Sequence, residues 1–440
     1  MDIAVIGSGH VGLVTALTMA SLGHDVVATD TDEGKIHGLS RGIPPFHEPG
    51  LPELLEEHVA AGRVRFTTDA SEALRGADVA FICVGTPPEA DGSANIAAVE
   101  STALDVARYA RPGTVIVEKS TVPAGTSDRL RHALELDNPD AHFEVVSNPE
   151  FLREGTAIQD SLGPERVLIG SDSAHGFEVM REVYRGLLER GVRLIETDLH
   201  TAELAKHACN AFLSLKISFA NGLARVCELA GADVVRVAEV MGADSRIGRA
   251  FLDAGIGYGG YCFPKDLAAF ERFCASIGYD FPLLKDVAEL NDQAAESAVA
   301  KVGVALRGVE GKRVAVLGLS YKAGTDDVRF SPSLEVARRL MALEAEVVGH
   351  DPLANAGAKT ELPELLVVDD VYEAIRGADC LVICTGWDEY RRLDMGRVRS
   401  LMASPVIIDG RNLFDPGDMR SLGFTYHPTG RRPVVADAAG

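Results

Sequence analysis

The stretch Ile3-Ala4-Val5-Ile6-Gly7-Ser8-Gly9-His10-Val11-Gly12 decides the fold of the first third of the chain. Four apolar residues in a row read as a strand buried on both faces. The glycines then occupy the positions a dinucleotide-binding βαβ turn needs. Gly7 permits the turn, Gly9 lets a pyrophosphate approach the backbone, and Gly12 allows close helix–strand packing. Leu13 to Leu22 read as the helix whose N-terminus receives the phosphates. The next apolar run, Val26 to Ala28, ends at Asp30, an acid placed to bind the ribose hydroxyls and so to favour NAD over NADP. Lys35 lies close enough to modify that preference.

Further strand–loop units follow. Val79 to Val84 ends in Gly85-Thr86-Pro87-Pro88, Val115 to Val117 in Glu118-Lys119-Ser120-Thr121, and Phe143 to Val146 in Ser147-Asn148-Pro149-Glu150-Phe151-Leu152-Arg153-Glu154. Ligands of an open parallel sheet bind beyond the carboxyl ends of its strands, so Thr86, Thr121, Glu150 and Glu154 are expected at one crevice. Each also suits a plain turn or helix cap.

The last third repeats the first. Val314 to Gly318 answers Ile3 to Gly7, Glu346 to Asp351 answers Asp25 to Asp30, and Glu373 to Asp379 answers Glu72 to Asp78. The copies diverge at Gly318-Leu319-Ser320-Tyr321-Lys322, which lacks the pyrophosphate glycines and offers a lysine instead. With Arg329 and Arg411 near inferred strand ends, this sheet is expected to take a different phosphorylated ligand. Residues after about Tyr426 read as a loose tail.

Between the copies, Thr201 to Ala230 contains no proline, and Leu204, Ala205, Ala208, Phe212, Leu215 and Phe219 recur at helical spacing, which predicts one long helix or two in line. Lys206 and Asn210 share a face: either a solvated stripe or an ammonium and an amide fixed to stabilise an oxyanion. The apolar helical block is a candidate dimer interface. It is followed by Gly257-Tyr258-Gly259-Gly260-Tyr261-Cys262-Phe263-Pro264-Lys265-Asp266. Glycines that admit close approach deliver a cysteine beside a lysine, which favours thiolate, and an aspartate able to accept a proton or orient water. A lone cysteine otherwise reads as a small buried hydrophobe.

At 440 residues the chain is long enough for two or three domains. The pattern predicts an α/β protein: two Rossmann-like parallel-sheet domains, 1–198 and 299–440, joined by a central helical domain, 199–298. A net charge of -22 argues against nucleic-acid and anionic-membrane partners. Seven cysteines without paired spacing, no signal-like leader and no membrane-length apolar run imply a cytoplasmic setting with free thiols. No Cys/His pattern suggests a metal site.

Taken together, these motifs resemble the UDP-glucose/GDP-mannose dehydrogenase family over nearly the whole chain. They include Ser120 to Pro123, Asn148 to Glu154, Lys206 to Asn221, Gly259 to Asp266, Gly318 to Lys322 and Asp409-Gly410-Arg411. The resemblance implies oxidation of a sugar C6 alcohol to a carboxylate with two NAD+ and one water, through a thiohemiacetal and a thioester on Cys262. It also implies roles. Lys206 and Asn210 bind the C6 oxygen, Asp266 serves the first step, and Glu150 with Thr121 prepares the hydrolytic water. Val11, Lys35, Thr86, Thr121, Glu154, Lys265 and Arg329 join the glycines and Asp30 on the cofactor side. Glu150, Phe151, Leu152, Glu154, Lys206, Asn210, Tyr258, Gly259, Lys322 and Arg411 hold the sugar nucleotide, and Arg246 reaches toward a partner subunit's substrate.

Tyr261 stands where many members have a small residue, and Gly222 where an acid is common. Phe263 and Gly255 to Tyr258 resemble the UDP-glucose branch; the GDP-mannose and UDP-N-acetylmannosamine branches are the alternatives. A two-electron hydroxyacid dehydrogenase accounts for the first half but leaves the second sheet and the cysteine loop unused. An NAD-sensing binding protein leaves the reactive groups unused.

Overall fold

The computed structural model describes residues 1–436. It divides into two compact units, one formed by Met1–Cys209 with Ala268–Tyr279, the other by Asn210–Leu267 with the chain from Asp280 onward.

The first unit is built on an eight-stranded sheet: β1 (Asp2–Ile6), β2 (Asp25–Thr29), β3 (Val64–Thr67), β4 (Val79–Ile82), β5 (Val115–Glu118), β6 (Glu144–Ser147), β7 (Arg166–Gly170) and β8 (Arg193–Thr197). The order is β3-β2-β1-β4-β5-β6-β7-β8. Along β1, Ile3 and Val5 enter one core and Ala4 and Ile6 the other, as a strand covered on both faces requires. The sheet is not wholly parallel. β7 meets β6 antiparallel at Ser147 and Gly170, and β8 then runs parallel to β7. The irregular segment 148–156 and a short helix, Ala157–Leu162, join β6 to β7.

The second unit repeats the first six strands as β9 (Arg313–Leu317), β10 (Glu346–His350), β11 (Leu366–Val367), β12 (Cys380–Ile383), β13 (Val406–Asp409) and β14 (Thr425–Pro428), all pairs parallel, in the order β11-β10-β9-β12-β13-β14. The inferred repeat is thus a repeat of topology. Gly7 and Gly318 share left-handed φ values of 96° and 91°. They donate equivalent backbone bonds to Thr29 and His350.

One helix, Leu199–Ala230, runs unbroken through the region where one or two were expected. Its polarity is the reverse of a surface helix. Glu203, Lys206, His207, Asn210, Ser214, Ser218 and Asn221 are buried, while Phe212, Phe219, Val226 and Leu229 are exposed at 60, 50, 58 and 87%. The solvated-stripe reading of Lys206 and Asn210 is therefore overturned: tertiary packing buries the polar stripe.

The loose tail expected after Tyr426 is also corrected. β14 extends to Pro428, Tyr426 and Val434 exchange two backbone hydrogen bonds, and Arg431 pairs with Asp233 at 3.1 Å. Gly430 packs so closely that an added Cβ would lie 2.5 Å from Val234 Cγ1. The part of that tail at 437–440 lies outside the described residues.

Candidate active site

The turn after β1 has the shape a pyrophosphate needs. A Cβ at Gly7 would meet Cys83 O at 2.7 Å, and one at Gly12 would meet Gly7 O at 1.7 Å, whereas Gly9 has open space around it. Gly9 is the N-cap of the helix His10–Ser21 and supplies no side-chain cap, so the first-turn N–H groups are available to an anion. At the end of β2, Asp30 accepts from Ser8 N and from Lys35 Nζ at 2.7 Å. Burial works to raise the Asp30 pKa; the hydrogen bonds from Lys35, Asp32 and Ser8 outweigh it and hold the carboxylate below its usual range. These residues fit a dinucleotide.

The first unit also gathers the strand-end groups. Thr86 Oγ1 donates to Thr121 O at 3.1 Å. Lys119, buried after β5, donates to Asn148 Oδ1 at 3.1 Å, and Asn148 in turn donates to Leu168 O and accepts from Tyr184 OH. This lattice fixes the start of the Glu150–Glu154 segment. Glu150 Oε2 accepts from Leu152 N at 2.8 Å, and its other oxygen accepts from Lys206 Nζ at 2.9 Å. Lys206 is 3% and Glu150 7% exposed, so the pair is shielded from water. The Phe151 ring lies under both Lys206 and Arg166, at 5.2 and 4.2 Å.

In the second unit, Cys262 begins the helix Cys262–Ser276, where the helix dipole favours a thiolate. Nearby, Lys265 Nζ pairs with Asp266 Oδ1 at 2.6 Å. Asp266 Oδ2 accepts from Asn210 Nδ2 at 2.6 Å. Tyr261 is a platform for cations, with Lys265 Nζ at 5.6 Å and Arg329 Cζ at 4.6 Å from its ring centroid. That explains a bulky residue at this position. Tyr258, its hydroxyl pKa raised by burial, is held at both backbone groups by the Asn291 side chain. Gly259 abuts Phe330 and Pro332.

The second sheet's turn lacks counterparts of Gly9 and Gly12, and its acid is bound by more of the turn: Asp30 takes one bond from Ser8 N, its counterpart three from Leu319 and Ser320. Asp351, the counterpart of Asp30, is spent on its own loop: it accepts from Leu319 N, Ser320 N and Ser320 Oγ, and from Trp387 Nε1. The repeat pointed to this residue, but nothing in the sequence showed that the acid closes a loop. Lys322 lies 5.5 Å from the Tyr321 ring centroid. Arg411 donates to Cys384 O at 2.6 Å, and burial lowers its pKa. Arg246 stands apart, on the surface and paired with Asp244.

Comparison with known proteins follows the same division. The chain matches the NAD binding domain model of the UDP-glucose/GDP-mannose dehydrogenase family over residues 1–188, its central domain over 200–293 and its UDP binding domain over 315–416. The chain belongs to this family. It is 44% identical to a UDP-glucose 6-dehydrogenase of Rhizobium meliloti, covering 98% of this chain and all of that one. It is 41% identical to one from Bacillus subtilis over the full length of both. A UDP-glucose dehydrogenase structure from Pyrobaculum islandicum superposes with a TM-score of 0.88 at 39% identity, covering 93% of this chain and 94% of that one.

Among the described residues of this dehydrogenase, no group of His, Cys, Asp and Glu is arranged to hold a metal ion, and no helix is long and apolar enough to cross a membrane. Lys119 escaped the sequence reading: it stands two residues beyond the apolar run Val115–Val117, and only the fold shows that it is buried against Asn148.

Proposed function

We propose that the chain is an NAD-dependent UDP-glucose 6-dehydrogenase that converts UDP-glucose to UDP-glucuronate. The observation that carries this reading is a pair of donor–acid couples one turn apart on a single helix: Lys206 with Glu150, and Asn210 with Asp266. Each joins a group that can stabilise an oxyanion to one that can handle a proton or water. Cys262 lies four residues before Asp266 and supplies the nucleophile.

NAD+, when bound at the first sheet, supplies the hydride acceptor for each oxidation. Asp266 receives or relays the C6 hydroxyl proton as the alcohol becomes an aldehyde. Lys206 and Asn210 hold the oxygen. Cys262 Sγ adds to the aldehyde carbon, and the thiohemiacetal loses a second hydride and a proton to become a thioester. Glu150 and Thr121 orient water for attack on the acyl carbon. The C–S bond then breaks, the thiol is restored, and the carboxylate leaves. Covalent retention keeps the reactive aldehyde from escaping.

In this reading Gly7, Gly9, Val11, Gly12, Asp30, Lys35, Thr86, Glu154, Lys265 and Arg329 serve the cofactor. Phe151, Leu152, Tyr258, Gly259, Lys322 and Arg411 serve the sugar nucleotide, with Arg246 directed to a partner subunit. The domain limits 1–198, 199–298 and 299–440 belong to the same proposal. Homo-oligomerisation is supported by the exposed stripe of Phe212, Phe219, Val226 and Leu229. A cytoplasmic setting is supported by seven free cysteines.

Cys262→Ser is the decisive variant. The wild type is expected to form two NADH per UDP-glucuronate, and the variant to lose sustained turnover while retaining NAD+ binding. Continued acid formation by the variant would sink the covalent route. A panel of UDP-glucose, GDP-mannose and UDP-N-acetylmannosamine fixes the sugar.

A further inference from the structure

The segment Glu150–Glu154 is irregular backbone, yet its side chains must be placed to a fraction of an ångström. Its start is fixed by Asn148. Its far end is fixed by Glu48, which the mechanism does not use. Glu48 is 1% exposed, and its two oxygens accept from Gly155 N and Ala157 N, both at 2.7 Å. Gly155 has a φ of 80°, a left-handed turn that leads into the helix Ala157–Leu162. That helix has Thr156 as N-cap with no side-chain cap of its own, and Glu48 supplies the acceptor from a distant part of the chain.

Glu48 is itself rigidly presented. Pro44, Pro45 and Pro49 stiffen its segment. Two residues before it, Phe46 stacks on His10, with ring centroids 3.5 Å apart and planes inclined by 22°. His10 is the first residue of the helix that follows Gly7 and Gly9. One short segment therefore grips the cofactor turn with Phe46 and the carboxylate-bearing segment with Glu48.

We propose that Glu48 is a positioning residue for thioester hydrolysis, bracing Glu150–Glu154 against the dinucleotide turn through Phe46. This rests on the role given to Glu150 above. A carboxylate can accept at both oxygens. A glutamine at this position must present an NH2 group to one of the two N–H donors, so one anchor is lost while the volume is kept. The slack then falls on the five residues that carry Glu150, whereas Asn210, Asp266 and Cys262 belong to the other unit and keep their local bonds. Hydrolysis should therefore suffer more than the two oxidations.

The test compares Glu48→Gln, Glu48→Asp and Phe46→Leu with wild type and with Glu150→Gln. Rapid-quench kinetics report NADH formation, and intact-protein mass spectrometry reports the acyl adduct on Cys262. Glu150→Gln should accumulate the adduct. Glu48→Gln should do so too, with hydrolysis slowed on the order of 10²-fold, the effect of a roughly 1 Å misplacement. Its NADH burst should fall far less, to within about threefold of wild type, since Asn210, Asp266 and Cys262 keep their bonds and only Lys206, through Glu150, feels the slack. Glu48→Asp and Phe46→Leu should lie between, and they carry the test if Glu48→Gln does not fold. Adduct in Glu150→Gln but in none of the three others overturns the inference alone. No adduct in any variant overturns the reading of Glu150 with it. Equal slowing of burst and hydrolysis shows a merely structural cap and also overturns it.

Discussion

A methyl group at Gly259 tests whether the cysteine loop is held in place by direct contact. An ideal Cβ there would lie 2.3 Å from Phe330 O, 2.7 Å from Pro332 Cδ and 3.1 Å from Tyr321 Cβ. Non-bonded carbon settles at about 3.5 Å from its neighbours, so the loop or the Phe330 carbonyl must move by roughly 1 Å. The carbonyl cannot recede cheaply. Phe330 already has a φ of 50°, and Gly260 N donates to Arg329 O at 3.1 Å. Overpacking of this kind costs about 1–3 kcal/mol. At roughly 2–4 °C per kcal/mol for a unit of this size, Tm should fall by about 2–12 °C. Cys262, the proposed nucleophile, is three residues away, and a displacement near 1 Å at a reacting group costs on the order of 10²-fold in turnover. Gly259→Ala is therefore expected to lower kcat by about that factor. The control is Gly303→Ala, in the helix Pro282–Leu306, where an added Cβ meets nothing within 4 Å. It should gain up to about 1 kcal/mol of helix propensity and keep full activity. NADH formation at saturating NAD+ and UDP-glucose, with Tm by scanning fluorimetry, decides the matter. Half or more of wild-type turnover in Gly259→Ala, or equal damage in Gly303→Ala, would refute the reasoning.

Burial raises the Glu118 pKa well above the ordinary carboxylate range, so the folded chain retains a proton that the unfolded chain releases above about pH 4.5. Wild-type stability thus declines as pH rises from there toward the folded pKa, whereas Glu118→Gln has no proton to hold. Denaturant unfolding should show the variant gaining on wild type by up to about 1.4 kcal/mol per pH unit over that window, and parallel pH profiles would contradict it. Burial also pushes the Cys83 and Cys384 thiols up to about 12, while Cys262 is only half-buried. Iodoacetamide at neutral pH should label Cys262 and spare those two in peptide mapping, with prior labelling abolishing turnover.

Much of the scaffold was legible because local chemistry and global position agreed. The glycines after β1 are needed for geometry as well as ligand, so they appear as a motif, and the copy after β9 betrays itself by the same strand pattern without them. The antiparallel step from β6 to β7 was not legible: a buried strand has the same composition in either direction, and only the path of 148–165 sets its sense. The long helix misled in a different way. Its apolar period was real, but the large apolar side chains face outward, and Glu203, Lys206, His207 and Asn210 share the buried side with small residues such as Ala202, Ala211 and Ala220 because they find internal partners. Glu48 left no signal either, since its partners are backbone N–H groups more than a hundred residues away.

The contrast between Asp30 and Asp351 bears on how far the two halves could be exchanged. Asp351 has become the heavier internal brace, and the same substitution at the two sites should have unlike consequences: at Asp30 chiefly a loss of the ribose contact proposed for it, at Asp351 a collapsed turn. Restoring the missing glycines after β9 would consequently not recreate a dinucleotide pocket, because the acid such a pocket needs is already committed to holding the polypeptide together.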